Sequence, residues 1–233
     1  LLLHIGVGVI MTLCLVGVWR MTYQHSLFQR VKRWWLKTLA WLMGARVVIS
    51  GQPCLDRVMW MANHVTWLDI AVLGEVGSPR FLSKSEVKRW PLIGWLATAS
   101  GTLYIERGQS SEGAAKLMLQ ALQQGECVAM FPEGTTGDGI TLKHFFARLF
   151  APALETNTRV QPVVLRYVNQ QGDLEAAVPY TGQQTLFQNL WAVMAVKEFT
   201  AEVIFLPPIN PMGHSRKSLA AECEAKIREV LSA

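Results

Sequence analysis

From Gly44 onward the chain alternates between two kinds of segment. Short β-branched or apolar runs recur at Arg46–Ser50, Arg57–Ala62, Arg80–Ser83, Thr102–Ile105, Cys127–Phe131, Gln161–Tyr167 and Ala201–Leu206, each of strand length. Helical stretches separate them: Trp67–Glu75, Glu86–Ala99, Ser111–Gln123, Leu142–Leu154, Leu186–Phe199 and Ser218–Leu231. Ser110 or Ser111 with Glu112 gives the third of these a capped start, and Gly125 gives it a stop. Such alternation predicts one α/β domain over residues 45–233, with a mixed, largely parallel sheet flanked by helices. No repeat, low-complexity stretch or linker interrupts it.

Residues 1–44 follow a different pattern. Leu1 to Trp19 holds one imidazole, His4, and no formal charge, and it ends at Arg20. A helix needs roughly 20 apolar residues to cross the hydrocarbon core, so the run predicts a transmembrane helix. A signal peptide would need a basic start and a small-residue cleavage site, which the run lacks. The basic residues lie after the apolar run, which predicts that the remainder is cytoplasmic. Between Ser26 and Met43, Leu27, Phe28, Val31, Trp34, Trp35, Leu39 and Leu42 recur at helical spacing, with Arg30, Arg33 and Lys37 on the other side. Trp and basic residues on one amphipathic helix suit the headgroup boundary of an anionic bilayer. A surface helix docked on the domain is the competing reading.

Charge sharpens this division. The chain carries 22 Lys+Arg against 17 Asp+Glu, but residues 1–50 contain six basic residues and no acidic one. The body is therefore close to neutral, which argues against nucleic acid as a partner and for a lipid bilayer. With 51% hydrophobic and 17% charged residues the chain is neither disordered nor fibrous. Cys14, Cys54, Cys127 and Cys223 form no CxxC and have no His at zinc-ligand spacing, which points to reduced thiols and no metal.

Three segments carry groups able to do chemistry. After the Arg57–Ala62 strand comes Asn63-His64-Val65-Thr66-Trp67-Leu68-Asp69. Positions five apart point in different directions on a helix, so His64 and Asp69 meet only if His64 sits in the turn ahead of it. Asp69 would then fix the imidazole tautomer and free the other nitrogen as a general base. A His and an Asp that merely cap a helix are the alternative. Arg107 ends the Gly101–Arg107 segment and could fork onto a phosphate or carboxylate, or simply pair with an acid. Phe131-Pro132-Glu133-Gly134-Thr135-Thr136 brings polar groups to another strand end, where a plain turn is the other reading. No P-loop, GxGxxG, HExxH or GxSxG motif is present.

Taken in order, NHxxxxD, GxxYIxR, FPEGTT and Val160-Gln161-Pro162-Val163 resemble the glycerophospholipid acyltransferase family, in particular the bacterial 1-acylglycerol-3-phosphate acyltransferases and their lyso-ornithine-lipid relatives. The likeness spans residues 45–206. It implies His64 as general base and Asp69 as its orienting carboxylate. It also implies that Asn63, Lys84, Arg107, Glu133, Gly134 and Thr135 bind substrate, with Arg107 on the acceptor's phosphate. Pro162 matches the proline of the fourth block. Where many relatives carry a hydroxyl-rich segment after FPEGTT, this chain has Lys143-His144-Phe145-Phe146-Ala147-Arg148, a departure that bears on the acceptor headgroup.

The expected reaction moves a fatty acyl group from acyl-CoA or acyl carrier protein to a lysophospholipid hydroxyl, without cofactor, metal or covalent intermediate. The first expected acceptor is 1-acylglycerol-3-phosphate, giving phosphatidic acid, and the alternative is lyso-ornithine lipid. Readings of another class are a lipid hydrolase and a non-catalytic membrane-binding module. The expected location is the cytoplasmic face of the inner membrane.

Overall fold

The computed structural model of the chain describes residues 1–105, 111–182 and 184–232. Two helices lead, α1 (Leu2–Thr12), continued by a π-helical turn over Leu13–Val18, and α2 (Ser26–Leu42). The body then runs β1 (Ala45–Ser50), β2 (Val58–Ala62), α3 (Asp69–Gly77), β3 (Arg80–Lys84), α4 (Ser85–Lys88), α5 (Ile93–Ala99) and β4 (Leu103–Ile105). It continues with α6 (Ser111–Gln123), β5 (Val128–Met130), a 3-10 turn at Ala147–Phe150, α7 (Ala151–Glu155), β6 (Arg159–Val168), α8 (Leu186–Ala195), β7 (Phe199–Phe205) and α9 (Arg216–Leu231).

Among the described residues one seven-stranded sheet has the order β1-β7-β6-β2-β5-β3-β4. Every neighbouring pair is parallel except β6 with β7. The mixed, largely parallel α/β fold expected from the sequence is the one observed. β2 shows why the central strands read as continuous apolar runs. Its alternate residues feed two cores, Val58, Trp60 and Ala62 on one face and Met59 and Met61 on the other, all essentially inaccessible to solvent. The first core is closed by α2, α3 and α8, the second by α6, α7 and α9.

Two expected helices are interrupted. Glu86–Ala99 is two short helices, because Pro91 and Leu92 (φ +62°) turn the chain between α4 and α5. Leu142–Leu154 is helical only from Ala147. Before that the backbone serves tertiary partners: the Lys143 N–H goes to Glu133, the Phe145 N–H to Glu224 and the Phe146 N–H to the Pro132 carbonyl.

The transmembrane helix expected at Leu1–Trp19 is also corrected. Among the described residues no helix is long and apolar enough to cross a membrane. The α-helical pattern stops at Thr12, shifts to π over Leu13–Val18, and ends where Arg20 takes a positive φ of 51°. One flank docks on protein. His4 stacks on Trp35 with ring centroids 4.8 Å apart, Trp35 Nε1 donates to the His4 carbonyl at 3.1 Å, and Gly8 allows the Trp35 indole to lie where a Cβ would be. α2 docks on the domain by one side and leaves the other exposed. Leu36 and Ala40 belong to the first core, with Leu36 resting against Gly74 of α3, whereas Trp34 and Trp41 remain 51% and 71% exposed.

Candidate active site

β2 and β5 are parallel neighbours, so the loops leaving their carboxyl ends emerge side by side. The helix after β2 packs on one face of the sheet, and the segment after β5 packs on the other. A crevice therefore opens between the two loops, the usual place for a site in an open α/β sheet. His64 stands in the first loop and Phe131–Gly137 in the second.

His64 precedes the helix and Asp69 is its first residue, the arrangement that lets them meet. His64 Nδ1 lies 2.7 Å from Asp69 Oδ2, and that oxygen also accepts from the backbone N–H groups of Val65 (2.8 Å) and Thr66 (3.1 Å). Asp69 Oδ1 accepts from the Tyr167 hydroxyl at 2.6 Å. Four donors converge on a fully buried side chain at a helix N-terminus, where a carboxylate is favoured. With the carboxylate acting only as acceptor, Nδ1 must carry the proton, which leaves the Nε2 lone pair free. Nε2 has no hydrogen-bond partner among the described residues, and the side chain is 20% exposed.

The second loop fixes the ring and the backbone of His64. Phe131 stacks on the imidazole, with centroids 3.9 Å apart and planes 9° from parallel. Glu133 Oε1 accepts from the His64 backbone N–H at 2.8 Å, and Gly137 donates its N–H to the His64 carbonyl at 2.7 Å. Glu133 Oε2 accepts from the Lys143 N–H at 2.9 Å. Burial pushes the Glu133 carboxyl above its ordinary range, while the bonds from Lys143 and His64 and the charges of both pull it back. Each Glu133 oxygen thus accepts from a backbone N–H, and Glu133 also lines the cleft beside His64. Asn63 is similarly engaged: its amide donates to the Leu165 carbonyl at 2.9 Å and accepts from the Leu165 N–H at 2.7 Å, clamping the end of β2 to β6.

The remaining expected site residues fall differently. Gly134 has φ +71°, and a Cβ there would come within 3.0 Å of the Phe146 ring, so the turn requires glycine. Gly134 and Thr135 are exposed beside the site, and Lys84 is exposed at the carboxyl end of β3, the strand next to β5. Arg107 lies outside the described residues. Sequence reasoning missed Tyr167, Phe131 and Leu231. Tyr167 is buried in β6, where desolvation, then the charge of Asp69 and its hydrogen bond, raise the phenol well above its ordinary value and keep it a donor. Leu231, near the end of α9, lines a small cleft with Asn63, His64, Glu133, Gly137 and Leu142. Among the described residues no group of His, Cys, Asp and Glu is arranged to hold a metal ion.

Comparison with known proteins identifies the family. The family model described as Acyltransferase matches residues 46–166. The chain is 38% identical over 204 residues to a lyso-ornithine lipid O-acyltransferase of Pseudomonas aeruginosa, covering 87% of this chain and 79% of that protein. It is 33% identical over 190 residues to a 1-acyl-sn-glycerol-3-phosphate acyltransferase of Neisseria gonorrhoeae, covering 78% and 73%. The crystal structure of the 1-acyl-sn-glycerophosphate acyltransferase PlsC from Thermotoga maritima has the same fold, with a TM-score of 0.67 at 19% identity over 88% of this chain and 78% of that one. A His–Asp pair at the carboxyl end of a largely parallel sheet therefore sits in a chain that belongs to the acyltransferase family and is an acyltransferase.

Proposed function

We propose that the protein moves a fatty acyl group from an acyl thioester to the free hydroxyl of a lysolipid, with His64 as general base. The hydrogen bond from His64 Nδ1 to Asp69 carries this reading, because it leaves Nε2 unpartnered at the cleft. Nε2 takes the hydroxyl proton as the acceptor oxygen attacks the thioester carbonyl, and Asp69 stabilises the imidazolium that forms. The tetrahedral intermediate collapses with cleavage of the carbon–sulfur bond, and the leaving thiolate receives the proton from Nε2. Both substrates must bind together, so no covalent enzyme intermediate is needed. The donor is acyl-CoA or acyl carrier protein.

Two acceptors fit this scheme. One is 1-acylglycerol-3-phosphate, whose phosphate would take the Arg107 fork. The other is lyso-ornithine lipid, after which relatives 38% and 34% identical to this chain are named. The deciding experiment offers the purified protein both lysolipids with one labelled thioester and identifies the product by mass spectrometry. Thioester consumption at the same rate without any lysolipid would instead indicate a hydrolase.

We further propose that the protein works at the cytoplasmic face of the inner membrane, with α1 and α2 lying on the bilayer. The support is the exposed apolar flank of α1 and its π-helical continuation (Leu2, Leu3, Ile10 and Leu13) and the exposed Trp34 and Trp41 of α2, in a basic and acid-free segment.

A further inference from the structure

α8 opens on a capping box in which the Thr185 and Gln188 side chains each accept from the other's backbone N–H, which fixes its start. Asn189 and Val193 lie on its buried side. Phe187, Trp191 and Met194, at i, i+4 and i+7, form a stripe on the other side and are 65%, 56% and 42% exposed. Phe187 and Trp191 meet edge to face with ring centroids 5.8 Å apart, so the stripe is pre-formed. Residues 176–196 contain no Asp, Glu, Lys, Arg or His. By contrast α9, on the opposite face of the sheet, carries seven charged residues among its 16. A helix that faces water is normally polar or charged on its outer side, and α8 is not.

The connections of α8 place this stripe. β7 runs antiparallel to β6, with Val168 opposite Thr200, so α8 stays at the end of the sheet where His64 stands. There Trp67 Nε1 donates to Asn189 Oδ1 at 2.9 Å, and the Tyr180 N–H donates at 2.9 Å to the carbonyl of Val65, the residue after His64. Past its other end α8 leads into β7 as α2 leads into β1, and these strands are parallel neighbours with Ala45 opposite Phe199. Gly44 lies against the Val196 and Lys197 carbonyls. α8 therefore shares a face of the sheet with α2 and reaches from the His64 loop toward the end of α2 that bears Trp41.

We propose that the α8 stripe is a second bilayer contact, inserted among the lipid headgroups so that the mouth of the His64 site faces the membrane surface. The contact presupposes the bilayer placement proposed above and adds to it a face that needs no charge. Three apolar side chains, two of them aromatic, beside the uncharged Gln184, Thr185 and Gln188 suit the headgroup boundary. A second copy of the chain fits less well. Each aromatic side chain offers at most about 250 Å², so the stripe falls short of the roughly 800 Å² per partner of a stable interface. A strongly acidic or basic protein would find no charge on it to pair with. Contact through α8 brings the imidazole to the surface in which a lysolipid acceptor resides.

The test is sedimentation of the full chain with phosphatidylcholine vesicles at low and high salt, neutral lipid being chosen because the basic side of α2 gains little from it. Phe187→Ser combined with Trp191→Ser should weaken binding about tenfold or more at either salt concentration. Its melting temperature should stay unchanged, because both side chains are exposed. Phosphatidylcholine brominated on its chains quenches a tryptophan that touches it. The parent should therefore lose more fluorescence than Trp191→Phe, which keeps an apolar ring and should sediment like the parent. Binding by the folded serine variant within about twofold of the parent overturns the proposal, as does equal quenching of the parent and Trp191→Phe. Loss of binding to anionic vesicles on Trp34→Ser with Trp41→Ser, with none lost in the α8 variant, overturns the α8 contact and leaves the bilayer placement standing. A parent that binds neither neutral nor anionic vesicles removes both. A lipid-free parent that is dimeric in analytical ultracentrifugation, and monomeric once Phe187 and Trp191 are serine, makes the stripe a self-association face and overturns the proposal.

Discussion

The Tyr167 hydroxyl and His64 Nδ1 bind opposite oxygens of the same buried carboxylate, at 2.6 and 2.7 Å from Asp69. The imidazole is therefore held through two strands at once, since Tyr167 belongs to β6 and His64 leaves β2, its neighbour in the sheet. The Asn63 side-chain amide, bonded to the backbone of Leu165 two residues before Tyr167, ties the same strands. Such a frame fixes the direction of Nε2 before substrate arrives, which is where a general base gains over a freely rotating one.

His64→Ala should lower the turnover number by 10²–10⁴-fold or more, with little change in melting temperature, because a partly exposed side chain is lost. Asp69→Asn should cost a similar factor, since an amide in that place cannot accept from every donor now on the carboxylate. Steady-state kinetics and thermal unfolding on the same preparations decide the matter. Near-normal turnover in either folded variant removes the base assignment.

Tyr167→Phe separates holding from chemistry. It leaves Asp69 Oδ1 buried without its donor, at a cost of about 1–3 kcal/mol in stability. Turnover should fall about tenfold, corresponding to about 1.4 kcal/mol, while the apparent affinities for both substrates stay constant. A rise in KM at unchanged kcat would mean that Tyr167 shapes the substrate site instead.

Much of this frame was legible in the sequence, and the part that was not has a physical cause. His64 and Asp69, five apart, could meet only if a turn preceded the helix start, and that is what forms. Tyr167 gave no signal because a tyrosine within Gln161–Tyr167 reads like any other core aromatic, and only strand order puts it under Asp69. The partners of Glu133 were not legible, because nothing in FPEGTT says that its two oxygens accept from the backbone N–H groups of His64 and Lys143. Lys143–Phe146 carried a helical pattern of apolar residues, but three of its N–H groups bond to Glu133, Glu224 and Pro132 instead. The apolar Leu1–Trp19 run read as a span because hydropathy does not register the His4–Trp35 docking on one of its sides.

Membrane attachment should depend on the exposed side of α2 without depending on its docked side. The double variant Trp34→Ser with Trp41→Ser touches residues 51% and 71% exposed, so melting should change little. Sedimentation with anionic vesicles should drop severalfold, and more at high salt, where the attraction of Arg30, Arg33 and Lys37 to the headgroups is screened. Removing residues 1–44 altogether is a poorer test, because Leu36 and Ala40 are part of the first core. Undiminished sedimentation of the double variant at every salt concentration would assign attachment to another surface.

Lys32 gives the stability of the protein a specific pH signature. Its folded-state amine sits at about 8 against an ordinary value of 10.5, chiefly from desolvation and then from the Arg80 charge, with Cys127 pulling slightly the other way. Below about pH 8 the folded and unfolded chains both carry the proton, and the fold bears the full cost of the desolvated ammonium. Between about 8 and 10.5 only the unfolded chain holds it, so the unfolded state binds more protons and stability contributed by this residue rises with pH. The full rise is of order 3 kcal/mol from a shift of this size. The quantity to measure is the difference between the parent and Lys32→Met, in which titrations common to both proteins cancel. Methionine keeps the chain length and removes the charge, so the variant should be the more stable protein at pH 7, and its advantage should shrink steadily as the pH is raised to 10. Denaturant unfolding of both proteins from pH 6.5 to 10 reads that difference directly. A pH-independent gap would mean that Lys32 keeps an ordinary amine in the folded chain and that its ammonium is hydrated where it stands.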